Sequence, residues 1–211
     1  MTTHQASDRS LPLRERKKLR ARRALADAAL RLFTDNGFDE TTLEDLADEA
    51  EVSKSTFFRA FPAKEAAAIE AEAELWTAYL AALTGRPLAG NILGELHQTL
   101  AAAVAGLEPG WDQRFLATRR LIAREPALLR YVEHYRAGIT SQAVDCLAGK
   151  LGLDADDLRL HVLAELAVTA FSLAGRHWVR RDGRGGRRAL LDRLNDAVRA
   201  IPASLDLGAP A

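Results

Sequence analysis

Cysteine is nearly absent from this chain of 211 residues, which contains only Cys146. One cysteine cannot form an intramolecular disulfide, and it cannot build a metal site from several thiolates. We therefore interpret Cys146 as a small buried hydrophobic residue, with a redox switch as the less favoured alternative.

Signals for export, membrane insertion and catalysis are also missing. Residues 1–23 lack the apolar segment of a signal peptide, and no stretch reaches the roughly 18 uncharged residues of a membrane span. We expect a cytoplasmic protein that does not bind a membrane. No glycine-rich phosphate loop and no Gly-x-Ser-x-Gly motif occur, and the histidines are not spaced as metal ligands. We expect neither enzymatic activity nor a bound cofactor or metal.

The alternation of apolar and polar residues that is typical of β-strands is absent from the sequence. Apolar residues instead recur at helical spacing, and hydrophobic residues form 48% of the chain, which is enough for a substantial core. The sequence predicts an all-α fold.

The chain has no net charge, yet its charges are strongly segregated. Residues 35–51 contain acidic side chains but no lysine or arginine. Residues 9–23 are basic apart from Glu15, with Arg9, Arg14, Arg16, Lys17, Lys18, Arg20, Arg22 and Arg23. The basic segment can neutralise DNA phosphates, whereas the acidic segment is expected to face away from DNA. A solvated terminal tail is the alternative interpretation of the basic segment.

Residues 41–61 have the spacing of a helix-turn-helix unit, which places its second helix in the DNA major groove. One helix is predicted over 43–50, opened by the hydroxyls of Thr41 and Thr42, and a second begins after its N-cap, Ser53. Apolar residues fall where two steeply crossing helices bury side chains. A cation, two hydroxyls and an aromatic ring remain outward, at Lys54, Ser55, Thr56 and Phe58. A helical hairpin with a polar face is the alternative for this segment alone.

The flanking residues extend this pattern. The upstream helix ends at Gly37, and Phe-Pro-Ala-Lys follows the second helix. The motifs Gly-Phe, Thr-Thr-Leu-x-x-Leu-Ala, x-Val-Ser and Thr-Phe-Phe-x-x-Phe-Pro-x-Lys resemble the TetR family of one-component transcriptional repressors, over about residues 14–68. The resemblance implies an N-terminal three-helix helix-turn-helix DNA-binding domain followed by a larger helical ligand-binding and dimerisation domain, about nine helices. The expected DNA-contacting residues are Arg14, Thr41, Thr42, Ser53, Lys54, Ser55, Thr56, Phe58 and Lys64.

The expected division of the chain is a basic flexible arm (1–13), the DNA-binding domain (14–63), the ligand-binding and dimerisation domain (64–203) and a tail (204–211).

Three positions depart from the family's pattern. Glu51 stands where glycine is usual in the turn, Phe58 where tyrosine is common, and Ala60 where histidine or tyrosine is often found. If Glu51 adopts the left-handed conformation, the strain is on the order of 1 kcal/mol.

The rest of the chain is predicted to be helical over 64–83, 91–105, 112–124, 126–147, 154–181 and 187–200. The last two helices suit a four-helix interface with a second copy, as the resemblance also implies, because small residues allow close approach. Burial within one subunit is the alternative. The expected interface residues are Ala167, Ala170, Ala174, Trp178, Leu190, Leu191, Leu194 and Val198.

The resemblance also implies a small-molecule effector bound within the helical domain. The candidate lining residues are Trp76, Tyr79, Leu80, Leu100, Trp111, Phe115, Arg119, Tyr131, Tyr135 and Phe171; ordinary core packing is the alternative for each. Residues 114–135 loosely resemble the branch of the family that binds acyl-coenzyme A-like ligands. The predicted function is a repressor that binds a palindromic double-stranded DNA operator as a homodimer and is released by a largely apolar effector. A ligand-independent architectural DNA-binding protein and, less favoured, a helical enzyme are the alternatives.

Overall fold

A computed structural model describes residues 12–208, which fold into ten α-helices without a β-strand in that range. The helices are α1 (Leu13–Asp35), α2 (Leu43–Glu49), α3 (Lys54–Ala60), α4 (Lys64–Ala68), α5 (Glu70–Gly85), α6 (Ile92–Gly106), α7 (Trp111–Ile122), α8 (Pro126–Leu151), α9 (Leu158–Arg180) and α10 (Gly186–Ser204). The all-α prediction is confirmed. Residues 1–11 of the predicted arm and 209–211 of the predicted tail lie outside the described residues.

The chain forms two compact units. The first consists of the chain up to Glu72 together with Gln113–Val132, and the second consists of Ala73–Asp112 together with the chain from Glu133 onward. The expected functional boundary between residues 63 and 64 is not the boundary of these units, and it stays a prediction.

In the first unit, α1 packs against α2, α3 and α4. Leu25 and Phe33 of α1, Leu46 of α2 and Phe57 of α3 are almost completely buried, so each helix contributes its apolar face to one core. The rings of Phe33 and Phe38 lie 4.9 Å apart between centroids. This core fixes the orientation of the two short helices, which have too few residues to be stable alone.

In the second unit, α6, α9 and α10 pack against one another. The small residues of α9 face this core, and the Trp76 and Phe171 rings meet edge to face at 5.4 Å. Six of the residues expected at a subunit interface are buried within the single chain: Ala167, Ala170, Ala174, Trp178, Leu190 and Leu194. That prediction is therefore corrected for these six, because the same chain already covers them. Leu191 and Val198 are half-buried.

Arg187, in the first turn of α10, joins this helix to the corner between α6 and α7. Its guanidinium donates to the carbonyls of Leu107, at 2.5 Å, and Glu108, at 2.9 Å, and it pairs with Asp112 at 3.0 Å. The carbonyls at the end of a helix have no partner within the helix, and an arginine is one way to satisfy them. Arg187 thus serves as a distant cap for α6.

Several predicted helix boundaries differ from the structure, and α8 and α10 each end four residues beyond the predicted ends at 147 and 200. The helix predicted over 64–83 is interrupted at Ile69, which separates α4 from α5. The helix expected to begin at Asp154 begins at Leu158, with Asp157 as its N-cap accepting the N–H of Arg159 at 2.9 Å. The Asp157 carboxylate also accepts hydrogen bonds from the Arg159 guanidinium, and these bonds lower the pKa of Asp157 to about 2.

Among residues 12–208, α9 alone has the length and composition of a membrane-crossing helix, with a mean hydropathy of 1.4 in its most apolar window. That window is 44% buried inside the protein. Buried core helices have the same composition, so this helix is weak evidence for a span.

Candidate DNA-binding interface

The start of α2 is fixed by two threonines with different roles. Thr42 and Asp45 form a capping box, in which the Thr42 hydroxyl accepts the Asp45 N–H at 3.2 Å and the Asp45 carboxylate accepts the Thr42 N–H at 2.8 Å. The bond from the Thr42 N–H is the main cause of a lowered pKa at Asp45. Thr41 is 1% exposed and its hydroxyl donates to the Gly37 carbonyl at 2.7 Å. The prediction that the Thr41 side chain contacts DNA is corrected, because that side chain is buried.

The turn between α2 and α3 requires a left-handed residue. Glu51 has a φ of +53°, in the region that glycine adopts without strain. The N–H of the next residue, Val52, then donates to the Ala47 carbonyl at 2.9 Å, which ends α2. The left-handed conformation expected for Glu51 is present.

Helix α3 begins at a serine cap and is anchored by one buried ring. The Ser53 hydroxyl accepts the Thr56 N–H at 3.2 Å and lies 3.0 Å from the Thr56 hydroxyl. Phe57 is completely buried, whereas its neighbour Phe58 is 54% exposed. The helix therefore presents an outward face while its anchor stays in the core.

The outward face of α3 carries two cations, Lys54 and Arg59, with Ser55 between them. Lys54 forms an ion pair with Glu44 of α2. The Arg59 guanidinium donates to the Ser55 hydroxyl at 2.8 Å and to the Ser55 carbonyl at 3.2 Å. Both cations are exposed, and guanidinium and hydroxyl groups are the donors that read base edges in the major groove.

An open groove beside α3 is lined by basic residues of α1. Arg14, Lys17 and Lys18 of α1, with Arg59 and Thr56 of α3, line this groove of about 490 Å³. Glu15 is the acidic residue in its lining. Four cations around one acidic group make the groove attractive to a phosphate backbone.

Arg22, which also belongs to the basic segment, has a structural role. Its guanidinium forms a two-point ion pair with Glu70, donates to the carbonyl of Ala60 at the end of α3, and lies 4.3 Å from the centre of the Phe61 ring. Glu70 is 8% exposed. Arg22 thus holds the end of α3 against α1, and its charge is neutralised inside the protein.

Lys64 is likewise bound by the protein itself. Its ammonium donates to the carbonyls of Phe38, at 2.7 Å, and Thr41, at 3.3 Å, and lies 4.2 Å from the centre of the Phe38 ring. Two of its three N–H donors are therefore used to hold the loop before α2. A contact between Lys64 and DNA stays a prediction.

The residues expected around an effector are divided between the two units. Phe115, Arg119 and Tyr131 belong to the first unit, where Arg119 pairs at 2.7 Å with Glu72, which is fully buried. The other seven belong to the second unit, and five of them are almost completely buried: Trp76, Tyr79, Leu100, Trp111 and Phe171. The structure therefore assigns Arg119 a protein carboxylate as its partner.

A cavity in the second unit includes the remaining two of these residues. Leu80 and Tyr135 line a space of about 450 Å³, together with Thr77, His134, Gly138, Ile139 and Gln142. The buried Tyr79 hydroxyl has no hydrogen-bond partner among residues 12–208, and its burial raises the pKa of this phenol. The cavity is large enough for a small ligand.

Comparison with known proteins identifies the architecture around this interface. Residues 25–71 match the family described as bacterial regulatory proteins, tetR family. The HTH-type transcriptional regulator TcmR of Streptomyces glaucescens is 35% identical over 164 residues, which cover 74% of this chain and 73% of that protein. This chain belongs to the TetR family. It is a DNA-binding transcriptional regulator and not an enzyme.

Solved structures of transcriptional regulators also match over most of the chain. A transcriptional regulator from Rhodococcus sp. Rha1 is 17% identical, with a TM-score of 0.49, and covers 89% of this chain and 99% of its own. Thermus thermophilus FadR, a TetR-family repressor in complex with lauroyl-CoA, is 24% identical, with a TM-score of 0.46, and covers 90% and 98%. At these values the two structures add nothing to the family assignment.

One exposed cation of α3 was not predicted from the sequence. Arg59 was not among the expected contacts, although it follows Ser55 by four residues and therefore shares its helical face. Helical spacing alone was sufficient to find it. The position of α1 beside α3, which brings Lys17 and Lys18 to the same groove, required the structure.

Proposed function

We propose that this TetR-family regulator is a repressor that binds a palindromic operator as a dimer and leaves it when a small effector binds. The main support is the outward face of α3, where Lys54, Ser55 and Arg59 lie beside the basic groove. A reading helix with exposed donors next to a phosphate-attracting groove provides both parts of specific DNA binding.

The proposed division of labour follows from side-chain chemistry. Arg59 and Lys54 donate to acceptors on guanine in the major groove, and Ser55 adds a hydroxyl. Phe58 makes an apolar contact with a sugar or a thymine methyl group. Arg14, Lys17 and Lys18 contact phosphates and give affinity that does not depend on sequence. Thr42 and Ser53 act mainly as helix caps, and Thr56 supplies the N–H that the Ser53 hydroxyl accepts.

For the dimer, we propose the exposed face of α9 rather than its buried alanines. Leu158, Val162 and Leu173 are 77%, 56% and 49% exposed, and their spacing places them on one side of the helix. The occupant of this face is a second copy of the chain, since a two-fold operator needs two reading heads. Val162→Asp with Leu173→Asp should give a monomer in light scattering, while Leu205→Asp, at an exposed leucine in the turn after α10, should not.

For the effector, we propose the cavity beside Leu80 and Tyr135. Its lining combines aliphatic and aromatic surface with polar groups, including His134 and Gln142, as small-molecule sites commonly do. The loose resemblance of residues 114–135 makes an acyl-coenzyme A-like molecule the first class to test. A cytoplasmic location is part of the proposal, because the partner is DNA.

Selection from a random duplex library tests the DNA-binding part. The recovered sequence should contain two inverted half-sites about one helical turn apart, and fluorescence anisotropy should then show affinity falling steeply with salt. Lys54→Ala should weaken binding by about tenfold or more. Glu49→Ala, a matched control on the exposed side of α2, should change it little. Recovery of unrelated sequences, with equal effects of both variants, would overturn the proposal.

The same assay separates a regulator from an architectural protein that needs no ligand. Acyl-CoA esters of different chain length are added to the preformed complex, and release is measured with wild type and Tyr135→Ala. Release that depends on Tyr135 supports the effector site. Binding that no ester alters would favour the architectural alternative.

A further inference from the structure

The connection between α9 and α10 borders a second, open cavity, of about 450 Å³, whose walls are rich in arginine. Arg181 lies at the end of α9, Arg184 lies in the connecting loop, and Arg193 comes from α10. His177 of α9 also lines the space. This cavity is in the second unit and shares no lining residue with the cavity beside Leu80.

The positive charge of this cavity is not balanced by its acidic residues. Asp192 and Asp196 line it, but Asp192 pairs with Arg188 at 3.0 Å and Asp196 pairs with Arg193 at 3.3 Å. Within residues 12–208, the guanidinium groups of Arg181 and Arg184 form no ion pair. Two arginines therefore remain available to an anion.

The imidazole ring of His177 also lines this cavity. Its Nε2 atom is enclosed and lacks a hydrogen-bond partner in the part of the chain that the structure describes. Desolvation lowers the pKa of His177, and the positive charges of Arg193, Arg181 and Arg180 lower it further. An enclosed polar atom without a partner is costly, and a bound ligand atom would remove that cost.

The backbone between α9 and α10 adds to the positive electrostatic potential of the cavity. Asp182, Gly183, Gly185 and Gly186 all have positive φ values, of 52°, 68°, 81° and 61°. Gly185, which lines the cavity, precedes α10 and offers no side-chain cap. The Gly186 N–H donates to the Gly183 carbonyl at 3.0 Å, so within residues 12–208 the next two N–H groups of this 19-residue helix, those of Arg187 and Arg188, remain for another acceptor. A Cβ atom at Gly185 would lie 2.8 Å from the Cβ of Ala189, another lining residue.

We propose that the cavity between α9 and α10 binds a small anion that carries at least two negative charges on phosphoryl oxygens. Arg181 and Arg184 supply forked donors for these oxygens, and the start of α10 supplies backbone N–H groups. His177 adds a donor or acceptor at the inner wall. This site is independent of the DNA-binding face, so a failure of DNA binding would not affect it.

Isothermal titration with inorganic pyrophosphate tests the proposal on the full chain at fixed ionic strength. We expect saturable binding with one anion per chain. Arg181→Gln with Arg184→Gln should weaken it by at least about tenfold. Arg130→Gln with Arg199→Gln removes the same charge from exposed positions outside the cavity and should leave the affinity within about twofold.

Two further measurements test the proposed anion site. The ring signals of His177 should shift during the titration of the wild type and not of the Arg181/Arg184 variant, whose melting temperature confirms that it is folded. Citrate, a carboxylate anion, should bind more weakly than pyrophosphate. Absence of saturable binding, equal loss in the control variant, or a preference for citrate would overturn the proposal.

Discussion

The ammonium of Lys54, at the start of the reading helix, forms an ion pair with the carboxylate of Glu44 on the preceding helix. In the proposed complex, Lys54 therefore reaches the DNA surface accompanied by a negative charge. To displace the Glu44 carboxylate, the DNA must offer Lys54 an acceptor that binds it at least as well. A phosphate that binds Lys54 must also approach the negatively charged carboxylate of Glu44. The pair discriminates against DNA that provides only backbone contacts.

Replacement of Glu44 by glutamine tests this discrimination. Affinity for random duplex DNA should rise severalfold at low salt, since one repulsive charge is removed and Lys54 is released. Fluorescence anisotropy on random and selected duplexes measures both affinities, and their ratio should fall. Glu40→Gln is the matched control, because Glu40 is exposed on the same acidic segment without a lysine partner in the described structure. An equal rise in both variants would show that net charge alone is responsible.

The strained turn at Glu51 should respond to glycine. The left-handed φ of Glu51 costs about 1 kcal/mol or more, and glycine removes that cost. Glycine also increases the entropy of the unfolded chain, which lowers the free energy of unfolding by roughly 0.4–1 kcal/mol. Glu51→Gly should therefore raise the melting temperature by up to about 3 °C. Asp48→Gly, inside α2, should instead destabilise the protein by roughly 0.3–0.5 kcal/mol. A lower melting temperature for Glu51→Gly would contradict the strain argument.

The ion pair between Arg22 and Glu70 should contribute strongly to stability. Arg22→Gln removes the Arg22 guanidinium from the carboxylate of Glu70, which is 8% exposed. Because the Arg22 side chain is itself 35% exposed, we expect a loss of about 2 kcal/mol, below the usual range for a fully buried pair. Urea denaturation measures the change, with Arg20→Gln as an exposed control on the same helix. Similar stability of both variants would argue against a structural role for Arg22.

The capping box at α2 should make stability depend on pH. The folded pKa of Asp45 lies below its usual value of 3.8, so its stabilisation is present above about pH 4 and is lost as the pH falls through the folded pKa. Asp45→Asn should be less stable than wild type at pH 6, and the difference should shrink by pH 3. Thermal melts at both pH values measure this, with Asp48→Asn as the control. A constant difference between Asp45→Asn and wild type would exclude the linkage.

Local sequence patterns predicted the helix-turn-helix unit (residues 41–61) well, because the residues that signal its helix ends lie within a few positions of one another. Ser53 was recognisable as an N-cap from its place before the second apolar run, and the cap is observed. Arg22 and Lys64 could not be understood in this way. Their partners, Glu70 and Phe38, are distant in sequence, so the sequence alone predicted that both Arg22 and Lys64 are available to contact DNA.

The same limit explains the correction at the last two helices. Apolar spacing shows which face of α9 must be covered, but it does not show whether the cover is the same chain or a second copy. The stripe containing Ala167 and Ala170 is covered by the chain itself. Ile69 likewise continues an apolar helical pattern, and the helix is interrupted there without a proline or glycine at the break.

The cap that Arg187 places on α6 has a consequence for biosynthesis. Its acceptor at Leu107 precedes it by 80 residues, so the corner between α6 and α7 lacks this cap until those 80 further residues have been made. A ribosome adds roughly 5–20 residues per second, which leaves the corner incomplete for about 4–16 seconds. During that interval the nascent second unit exposes apolar surface that α10 later covers. Loss of α10 through termination before residue 186 should therefore produce a chain that depends on chaperones from the moment of release.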